Sequence, residues 1–292
     1  MNSLTVCVFV FIALISAIGA ESRFDPEVDI HFHLFTRRNP TVSQPLLRGD
    51  ADILASSNYD PRLRTVISIH GWNGHVVDDY NLVTIPAFLT SDDVNLIVID
   101  WHSGSLLLSS AIVESGRTIA RFIDWIRLLS GRPAEDFHIV GFSLGSHLAG
   151  VTARNVDGGI GYVTILDPSG TSSDETRFRP DDGLYTEAIY TNAGIAGFFG
   201  NLASVNFYPN GGVNMPGCGG DNACNHFRAY FYFGESIVSG GFTGTECARF
   251  EFALAGDCDL PGRLDMGARL PSYGVTGTYH LLTNAGPPFS ID

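Results

Sequence analysis

Residues 137–145 read Phe-His-Ile-Val-Gly-Phe-Ser-Leu-Gly, and this stretch decides the fold. An apolar run typical of a buried strand ends in Gly141-Phe-Ser143-Leu-Gly145, and the residues that follow have helical character. A serine flanked in this way at a strand-to-helix turn is typical of a nucleophile elbow, which holds the hydroxyl clear of the sheet. The glycines are expected because a Cβ at either position would strike the neighbouring strand or helix. Chance is the alternative, but the strand–helix context favours Ser143 as the nucleophile.

A nucleophilic serine needs a base, and the base needs an acid that orients it. Around this kind of elbow the chain order is Ser, then Asp or Glu, then His. Three histidines follow Ser143, and His147, one helical turn away, is expected to pack on its own helix, which leaves His226 and His280. His280 lies in a period-two apolar run that predicts a strand, whereas His226 lies in a polar, glycine-rich stretch that predicts a loop. Because catalytic residues concentrate on loops, His226 is the predicted base. The run that follows it, 228–233, predicts a strand.

Asp167 is the predicted acid. It directly follows the apolar run Tyr162–Leu166, at the carboxyl end of a strand, where open α/β sheets hold their sites. Asp100 also ends an apolar strand, but it precedes the serine and is assigned a structural role. The later aspartates of a charged stretch are expected to be solvated or salt-bridged: Asp174, Asp181 and Asp182.

A catalytic serine of this kind also needs two N–H donors for the oxyanion. The N–H of Leu144, directly after the nucleophile, is one candidate. The other is the backbone of Trp72, in a glycine-flanked turn that ends the strand-like run from Thr65 to His70. An ordinary glycine-rich turn with a packed tryptophan is the alternative interpretation.

Strand candidates alternate with helical patterns along the chain: Val66–Ile69, Asn95–Asp100, Phe137–Val140 and Tyr162–Leu166, with the clearest helix at 112–129. This alternation predicts a mostly parallel sheet with helices on both faces. The chain has 292 residues, of which 45% are hydrophobic and 16% charged, so one large core is feasible. A net charge of −14 argues against nucleic acids and strongly anionic membranes as partners.

The first residues predict export from the cell. Residues 4–20 are apolar apart from Thr5 and Ser16 and end in small residues, which is typical of a signal peptide over residues 1–20. Residues 21–292 then form a single secreted domain with no stable membrane anchor. An uncleaved anchor is the alternative, because no Lys or Arg precedes the apolar run.

Removing the signal peptide removes Cys7 and leaves four cysteines, an even number suited to an oxidising compartment. Four cysteines allow three pairings. Proximity in sequence favours Cys218–Cys224 and Cys247–Cys258. A metal site is the alternative use of the cysteines, but the chain has no Cys-x-x-Cys.

Several motifs in order resemble the animal pancreatic lipase family, and most closely its insect branch, which includes wasp-venom-type phospholipases A1. They are His70-Gly-Trp, Val140-Gly-Phe-Ser-Leu-Gly-Ser-His-Leu-Ala-Gly150, Leu166-Asp-Pro, Phe207-Tyr-Pro-Asn-Gly-Gly212 and Cys224-Asn-His226. The resemblance runs from about residue 32 to 288. It implies an α/β-hydrolase fold and a secreted carboxylic ester hydrolase of glycerolipids with Ser143, Asp167 and His226 as the triad. It also agrees with the favoured cysteine pairing. Some relatives carry a C-terminal β-sandwich domain, which this chain is expected to lack.

Two departures from the family bear on mechanism. Only residues 219–223 separate the cysteines that flank the family's long lid, so the lid is expected to be short. Arg179 stands where the family's calcium site has a carboxylate, and a cation beside Ca²⁺ is unfavourable. We therefore expect no metal and no cofactor.

A glycine-rich loop carries large apolar side chains: Ile195, Phe198, Phe199 and Leu202. They are either a lipid-facing rim or ordinary packing against the body of the domain. The sequence thus predicts a phospholipase A1-type enzyme acting on lipid at a membrane or emulsion surface. A triacylglycerol lipase is the first alternative. A non-catalytic, yolk-like lipid-binding or storage protein is the second, although such relatives have lost the serine that this chain keeps.

Overall fold

The computed structural model describes residues 24–291. The predicted signal peptide, with Cys7, lies outside the described residues, and it stays a prediction together with the 21–292 domain boundaries. Among the described residues, no helix is both long enough and apolar enough to cross a membrane.

The strands of the described region form one 11-stranded sheet. In chain order they are β1 (His31–Phe35), β2 (Gln44–Leu46), β3 (Thr65–Ile69), β4 (Asn95–Asp100), β5 (Phe137–Phe142), β6 (Tyr162–Leu166), β7 (Tyr185–Ile189), β8 (Val205–Pro209), β9 (Thr243–Cys247), β10 (Arg263–Asp265) and β11 (Gly277–Leu281). Their order in the sheet is β10-β9-β11-β8-β7-β6-β5-β3-β4-β1-β2. In the order of the sheet, the seven strands from β11 through β8, β7, β6, β5 and β3 to β4 are parallel. The strands at both edges, β10 and β9 on one side and β1 and β2 on the other, pair antiparallel.

Helices connect most of the parallel strands. In chain order they are α1 (Pro26–Asp29), α2 (Ala51–Ser56), α3 (Asp79–Ser91), α4 (His102–Ser105), α5 (Ile112–Ser130), α6 (Leu144–Asn155), α7 (Asn222–Ser239) and α8 (Phe250–Ala255), with short 3₁₀ helices at Leu108–Ala111 and Ala134–Asp136. The helix predicted over 112–129 is α5. The predicted strands are β3, β4, β5 and β6, with β5 reaching two residues further than expected.

The sheet is buried on both faces, which explains its continuous apolar strands. Side chains alternate along each strand: on β4, Ile97 and Ile99 belong to one core, and Leu96 and Val98 to the other. The first core also contains apolar residues of α5 and α6, and the second those of α3 and α7. The predicted α/β-hydrolase architecture, a mostly parallel sheet with helices on both faces, is confirmed.

The strand predicted over 228–233 is wrong, because these residues lie in α7. Their aromatic side chains favour a strand by local propensity. Burial recurs with helical spacing, however, at Asn225, Ala229, Tyr232 and Ser236. Gly234 lets α7 approach α3 closely, since a Cβ there would lie 2.7 Å from the side chain of Val83. Packing between the two helices therefore outweighs propensity.

Candidate active site

The turn between β5 and α6 holds Ser143 in a strained conformation, with φ 54° and ψ −120°. Few non-glycine residues adopt this geometry, and it persists only where the surroundings enforce it. The N–H of Ser143 donates to Leu166 O at 2.9 Å, and its carbonyl accepts from the N–H groups of Ser146 and Ser169, both at 3.1 Å. These bonds tie the elbow to its own helix and to the segment that follows β6.

Close packing explains the glycines of the elbow. A Cβ on Gly141 would overlap the backbone of Gly145, and a Cβ on Gly145 would overlap the backbone carbonyl of His70. A Cβ on Gly71 would lie 2.9 Å from Cβ of Ser143. The steric reason predicted for the glycines on either side of Ser143 is therefore confirmed. The same contacts bring the turn after β3 against the serine.

Asp167 directly follows β6 and is completely buried. It has a positive φ of 40°, which turns the chain away from the sheet. Its Oδ1 accepts the N–H groups of Thr191 and Asn192, at 2.8 and 2.9 Å, and its Oδ2 lies 2.5 Å from His226 Nδ1. The backbone donors hold the carboxylate in place, so it can orient the imidazole.

His226 is the fifth residue of α7, and the predicted loop is wrong at this position. Asp221 caps the helix by accepting the N–H of Ala223 at 2.9 Å, so the polar residues before His226 are the start of a helix. The imidazole packs against Phe142, with ring centroids 4.7 Å apart, and is 12% exposed. The hydroxyl of Thr191 donates to the backbone carbonyl of His226 at 3.4 Å.

Ser143, Asp167 and His226, the residues predicted from chain order, thus converge at the carboxyl ends of β5 and β6. The Asp–His hydrogen bond is formed, and Phe142, which contacts the imidazole, is the residue before Ser143. The hydroxyl of Ser143 makes no hydrogen bond with any residue in 24–291. His280, the rejected candidate, lies on β11, where burial lowers its pKa.

The turn after β3 carries the predicted oxyanion donor, Trp72. Its side chain is 58% exposed, which excludes the alternative of a packed tryptophan. Within the described part of the chain, the N–H groups of Trp72 and Leu144 donate to no protein acceptor. Because a Cβ on Gly71 would lie 2.9 Å from Cβ of Ser143, the turn that carries Trp72 lies beside the nucleophile, and Leu144 directly follows it. Their role in stabilising an oxyanion stays a prediction.

Sequence reasoning missed the contacts that hold this turn. The N–H of Trp101 donates to His70 Nε2 at 3.2 Å, and its indole N–H donates to His70 O at 2.9 Å. Asp100 accepts the N–H of His102 at 3.1 Å. Burial opposes the charge on Asp100, but the N–H of His102 and the nearby His70 ring outweigh it and hold the pKa of Asp100 below its usual range. This is the structural role predicted for Asp100.

Two further bonds join the turn to α4. The N–H of Asn73 donates to Ser105 Oγ at 3.0 Å, and the ring of His102 donates from Nδ1 to Gly74 O, also at 3.0 Å. The turn is therefore held on both sides of Trp72 by hydrogen bonds to the end of β4 and to α4. In the sequence, the only indication of this contact is that the turn and α4 come shortly after the ends of β3 and β4.

His147 on α6 connects the elbow helix to the segment after Asp167. Its Nε2 donates to Ser169 O at 2.8 Å, and its Nδ1 accepts the N–H of Phe178 at 3.2 Å. Burial lowers the pKa of His147 to about 4, so the ring is neutral near pH 7. A neutral imidazole is what one donated and one accepted hydrogen bond require.

The predicted lipid-facing rim is only partly exposed. Ile195 and Phe199 are exposed, and Phe198 is half-buried beneath the guanidinium of Arg177. Leu202 is 5% exposed and belongs to the core, so its prediction as a lipid contact is wrong. It is buried because its N–H donates to the buried hydroxyl of Tyr190 at 2.9 Å, which fixes this end of the loop inside.

The four cysteines form Cys218–Cys224 and Cys247–Cys258. This is the pairing favoured by proximity and by the resemblance. The first bridge joins the turn before α7 to the helix turn that carries His226. Residues 219–223, which stand in the position of the family's long lid, therefore form only a tight turn and a helix cap.

The stretch that resembles the family's calcium site is held by an ion pair. The carboxylate of Asp182 is buried and accepts two bonds from Arg154, both at 2.7 Å, and the N–H of Arg179 at 2.8 Å. Across residues 24–291, no group of three or more His, Cys, Asp or Glu side chains is placed to hold a metal ion.

Comparisons with known proteins identify relatives of this chain. The family model described as Lipase matches residues 16–289. Human pancreatic lipase-related protein 2 is 28% identical over 77% of this chain and 55% of the relative. Pancreatic triacylglycerol lipase of Myocastor coypus is 30% identical over 79% of this chain and 58% of the relative. The chain thus spans a little over half the length of these curated relatives. A solved alpha/beta hydrolase from a deep-sea metagenome library overlaps with a TM-score of 0.37 at 10% identity, over 57% of this chain and 66% of that one.

Proposed function

Since this chain belongs to the lipase family, we propose that it is a secreted serine hydrolase of glycerolipid esters, with phospholipids as its first substrate class. One observation carries the proposal. The Asp167–His226 hydrogen bond of 2.5 Å lies beside a half-buried serine held at φ 54° in a strand-to-helix turn. Acyl transfer to water uses an imidazole that a carboxylate orients beside a serine nucleophile.

In the proposed mechanism, His226 Nε2 accepts the hydroxyl proton of Ser143 as the oxygen attacks the ester carbonyl. The N–H groups of Trp72 and Leu144 donate to the resulting oxyanion. When the tetrahedral intermediate collapses, His226 gives its proton to the departing lysolipid alcohol, and the acyl group stays on Ser143. Water then attacks the acyl-enzyme, His226 again accepts and returns a proton, and the fatty acid leaves. Asp167 stabilises the imidazolium and keeps Nδ1 directed toward itself.

Triad substitutions test the catalytic assignment. Ser143→Ala is expected to lower turnover by about 10⁴-fold or more, and His226→Ala by nearly as much. Adding the second change to the first is expected to cost little, because the residues act as a unit. An organophosphonate is expected to label Ser143, which a storage protein with an incompetent serine does not allow.

His280→Ala is the matched control, since His280 is the other histidine that follows Asp167 in the chain. It is expected to retain most activity. Loss of activity in His280→Ala together with an active His226→Ala would overturn the assignment. Melting temperatures of all variants separate loss of chemistry from loss of fold.

The short lid segment supports phospholipid over triglyceride as substrate. Residues 219–223 form a turn and a helix cap, so there is little flap for an oil surface to stabilise and little apolar wall for three acyl chains. A phospholipid presents fewer chains and directs its polar headgroup outward. We expect release of the sn-1 fatty acid from zwitterionic phospholipid and weak interfacial activation.

Triacylglycerol hydrolysis is the second candidate function. Exposed Ile195 and Phe199 favour it, because they place apolar surface on the loop that wraps around Asp167. Relatives of the chain include a protein named pancreatic triacylglycerol lipase. A direct comparison of phosphatidylcholine vesicles with triolein emulsions decides between them. Much faster triolein hydrolysis, with a sharp rate increase at the interface, would replace the phospholipase proposal.

Secretion is proposed from the predicted signal peptide and is supported by the two disulfides, which persist in oxidising compartments. Expression of the full chain in a secreting host tests it. The medium is expected to contain protein that begins after Ala20 and has no free thiol. Retention of the chain in the membrane fraction with residues 1–20 attached would contradict secretion.

A further inference from the structure

The two N–H groups proposed to hold the oxyanion are supported in different ways. Leu144 begins α6, a 12-residue helix, and is 2% exposed, so a regular element fixes the position of its N–H. Trp72 lies in an irregular turn. Its side chain is exposed and makes no hydrogen bond with any residue in the described part of the chain. The neighbours of Trp72 in the chain therefore determine where its N–H lies.

Two side chains of α4 hold the residues that follow Trp72. Asn73 has φ 55°, a left-handed conformation that needs support from its surroundings in a residue other than glycine. Its N–H donates to Oγ of the buried Ser105 at 3.0 Å. His102 Nδ1 lies 3.0 Å from Gly74 O, and because a carbonyl only accepts, this ring nitrogen is the donor. Both bonds reach peptide groups within two residues of Trp72.

Contacts with other segments fix α4 itself. The helix has only four residues, far fewer than an isolated helix needs to form. Asp100 Oδ1 accepts the N–H of His102 at 3.1 Å, and the hydroxyl of Ser105 donates to His102 O at 2.7 Å. Gly104 packs closely on Phe24, since a Cβ there would lie 2.6 Å from the aromatic ring. The backbone of His102 is therefore fixed, which allows its ring to hold the turn.

We propose that His102 is a positioning residue for ester hydrolysis, which acts through Gly74 to keep the Trp72 N–H at the place where the oxyanion develops. The inference rests on the proposed function, because it requires acyl transfer at Ser143. An N–H that is in place before the reaction starts stabilises the transition state, and loss of one such donor lowers kcat about 10²-fold to 10³-fold. Loss of the His102 bond removes the support of the donor but keeps the donor, so its effect is smaller.

His102→Ala and His102→Asn form the central comparison, measured with the soluble ester p-nitrophenyl butyrate. His102→Ala is expected to lower kcat about 10-fold to 100-fold and to change KM less than about twofold, because charge develops on the oxygen only in the transition state. His102→Asn is expected to restore kcat to within about threefold, because its amide nitrogen replaces Nδ1 as donor to Gly74 O. A trifluoromethyl ketone, which forms an oxyanion on the serine, is expected to lose affinity for His102→Ala by the same factor as kcat.

His75→Ala is the matched control. His75 lies on the same turn, and its exposed ring has its centroid 6.3 Å from that of His102 but forms no hydrogen bond within residues 24–291. Its kcat and KM are expected to match those of the unmodified protein. Ser105→Ala is the second variant, because it removes the acceptor of the Asn73 N–H, and it is expected to lower kcat in the same way. The double variant is expected to lose less than the product of the two separate losses, since both side chains support one donor.

Unchanged kcat in His102→Ala, or an equal loss in His102→Asn or His75→Ala, overturns the positioning role. Melting temperatures identify variants that fail to fold. Should both alanine variants do so, His102→Gln replaces them: its amide lies one carbon further along the side chain, and kcat equal to that of His102→Asn would overturn the proposal. An unmodified protein that neither hydrolyses the ester nor reacts with an organophosphonate at Ser143 overturns the proposed function itself, which differs from activity that is insensitive to His102.

Discussion

Glu187 is a buried carboxyl on β7, and its protonation links the stability of the domain to pH. Its Oε1 accepts the N–H of Gly267 at 2.7 Å, and its Oε2 accepts the hydroxyls of Tyr185 and Tyr162 at 3.2 and 3.4 Å. Burial disfavours the charged form and outweighs these bonds. It raises the pKa of Glu187 from 4.5 to about 7.

The magnitude follows from linkage between protonation and folding. One pKa unit corresponds to about 1.36 kcal/mol, so a rise from 4.5 to about 7 corresponds to about 3 kcal/mol. Below pH 4.5 both states hold the proton, and this stability is fully present. It is lost as the pH rises toward 7, because the unfolded chain ionises first. Above that pH both states are ionised, and the loss is complete.

Glu187→Gln isolates this contribution, since glutamine stays neutral and keeps an acceptor for Gly267. Urea unfolding at several pH values gives the free energy of unfolding for each protein. Between about pH 4.5 and pH 8, the difference between the two proteins is expected to move by about 3 kcal/mol in favour of the variant. Glu114→Gln, whose side chain is 63% exposed, is the control and is expected to parallel the unmodified protein. If the free energy of unfolding of Glu187→Gln changed with pH in parallel with that of the unmodified protein, the reasoning would be refuted.

Three other predictions follow from contacts at the site. Gly145→Ala is expected to abolish ester hydrolysis and lower the melting temperature, because its Cβ would overlap His70 O; Gly286→Ala, with nothing within 4 Å, leaves both unchanged. Equal losses in the two variants would contradict the steric explanation. Mild reduction of Cys218–Cys224 is expected to lower activity before the domain unfolds, because the bridge positions the turn that carries His226. Simultaneous loss of both would show that the bridge acts on global stability. Chelation with EDTA is expected to leave activity unchanged, and an activity loss that Ca²⁺ restores would overturn the calcium prediction.

Residues that depend on local geometry were predictable from the sequence. The apolar strand before Ser143 and the glycines beside it are local signals, because the elbow needs a positive φ and close packing within a few residues. Asp167 followed from its place at the end of the next strand. Chain order left His226 and His280 as candidates for the base, and the loop predicted around His226, which decided between them, is a helix.

Contacts between distant segments were decided by the tertiary structure. The aromatic residues after His226 favour a strand locally, and burial of one face of α7 against α3 makes them helical. Leu202 looks like its exposed neighbours in sequence, but a hydrogen bond to Tyr190 places it in the core. The sequence by itself therefore determined the class of fold and predicted the proposed nucleophile and its partners, since these depend on short-range pattern and chain order. Only the folded chain decided which side chains are buried, which donors lack partners, and how β4 clamps the turn at Trp72, because those depend on segments far apart in sequence.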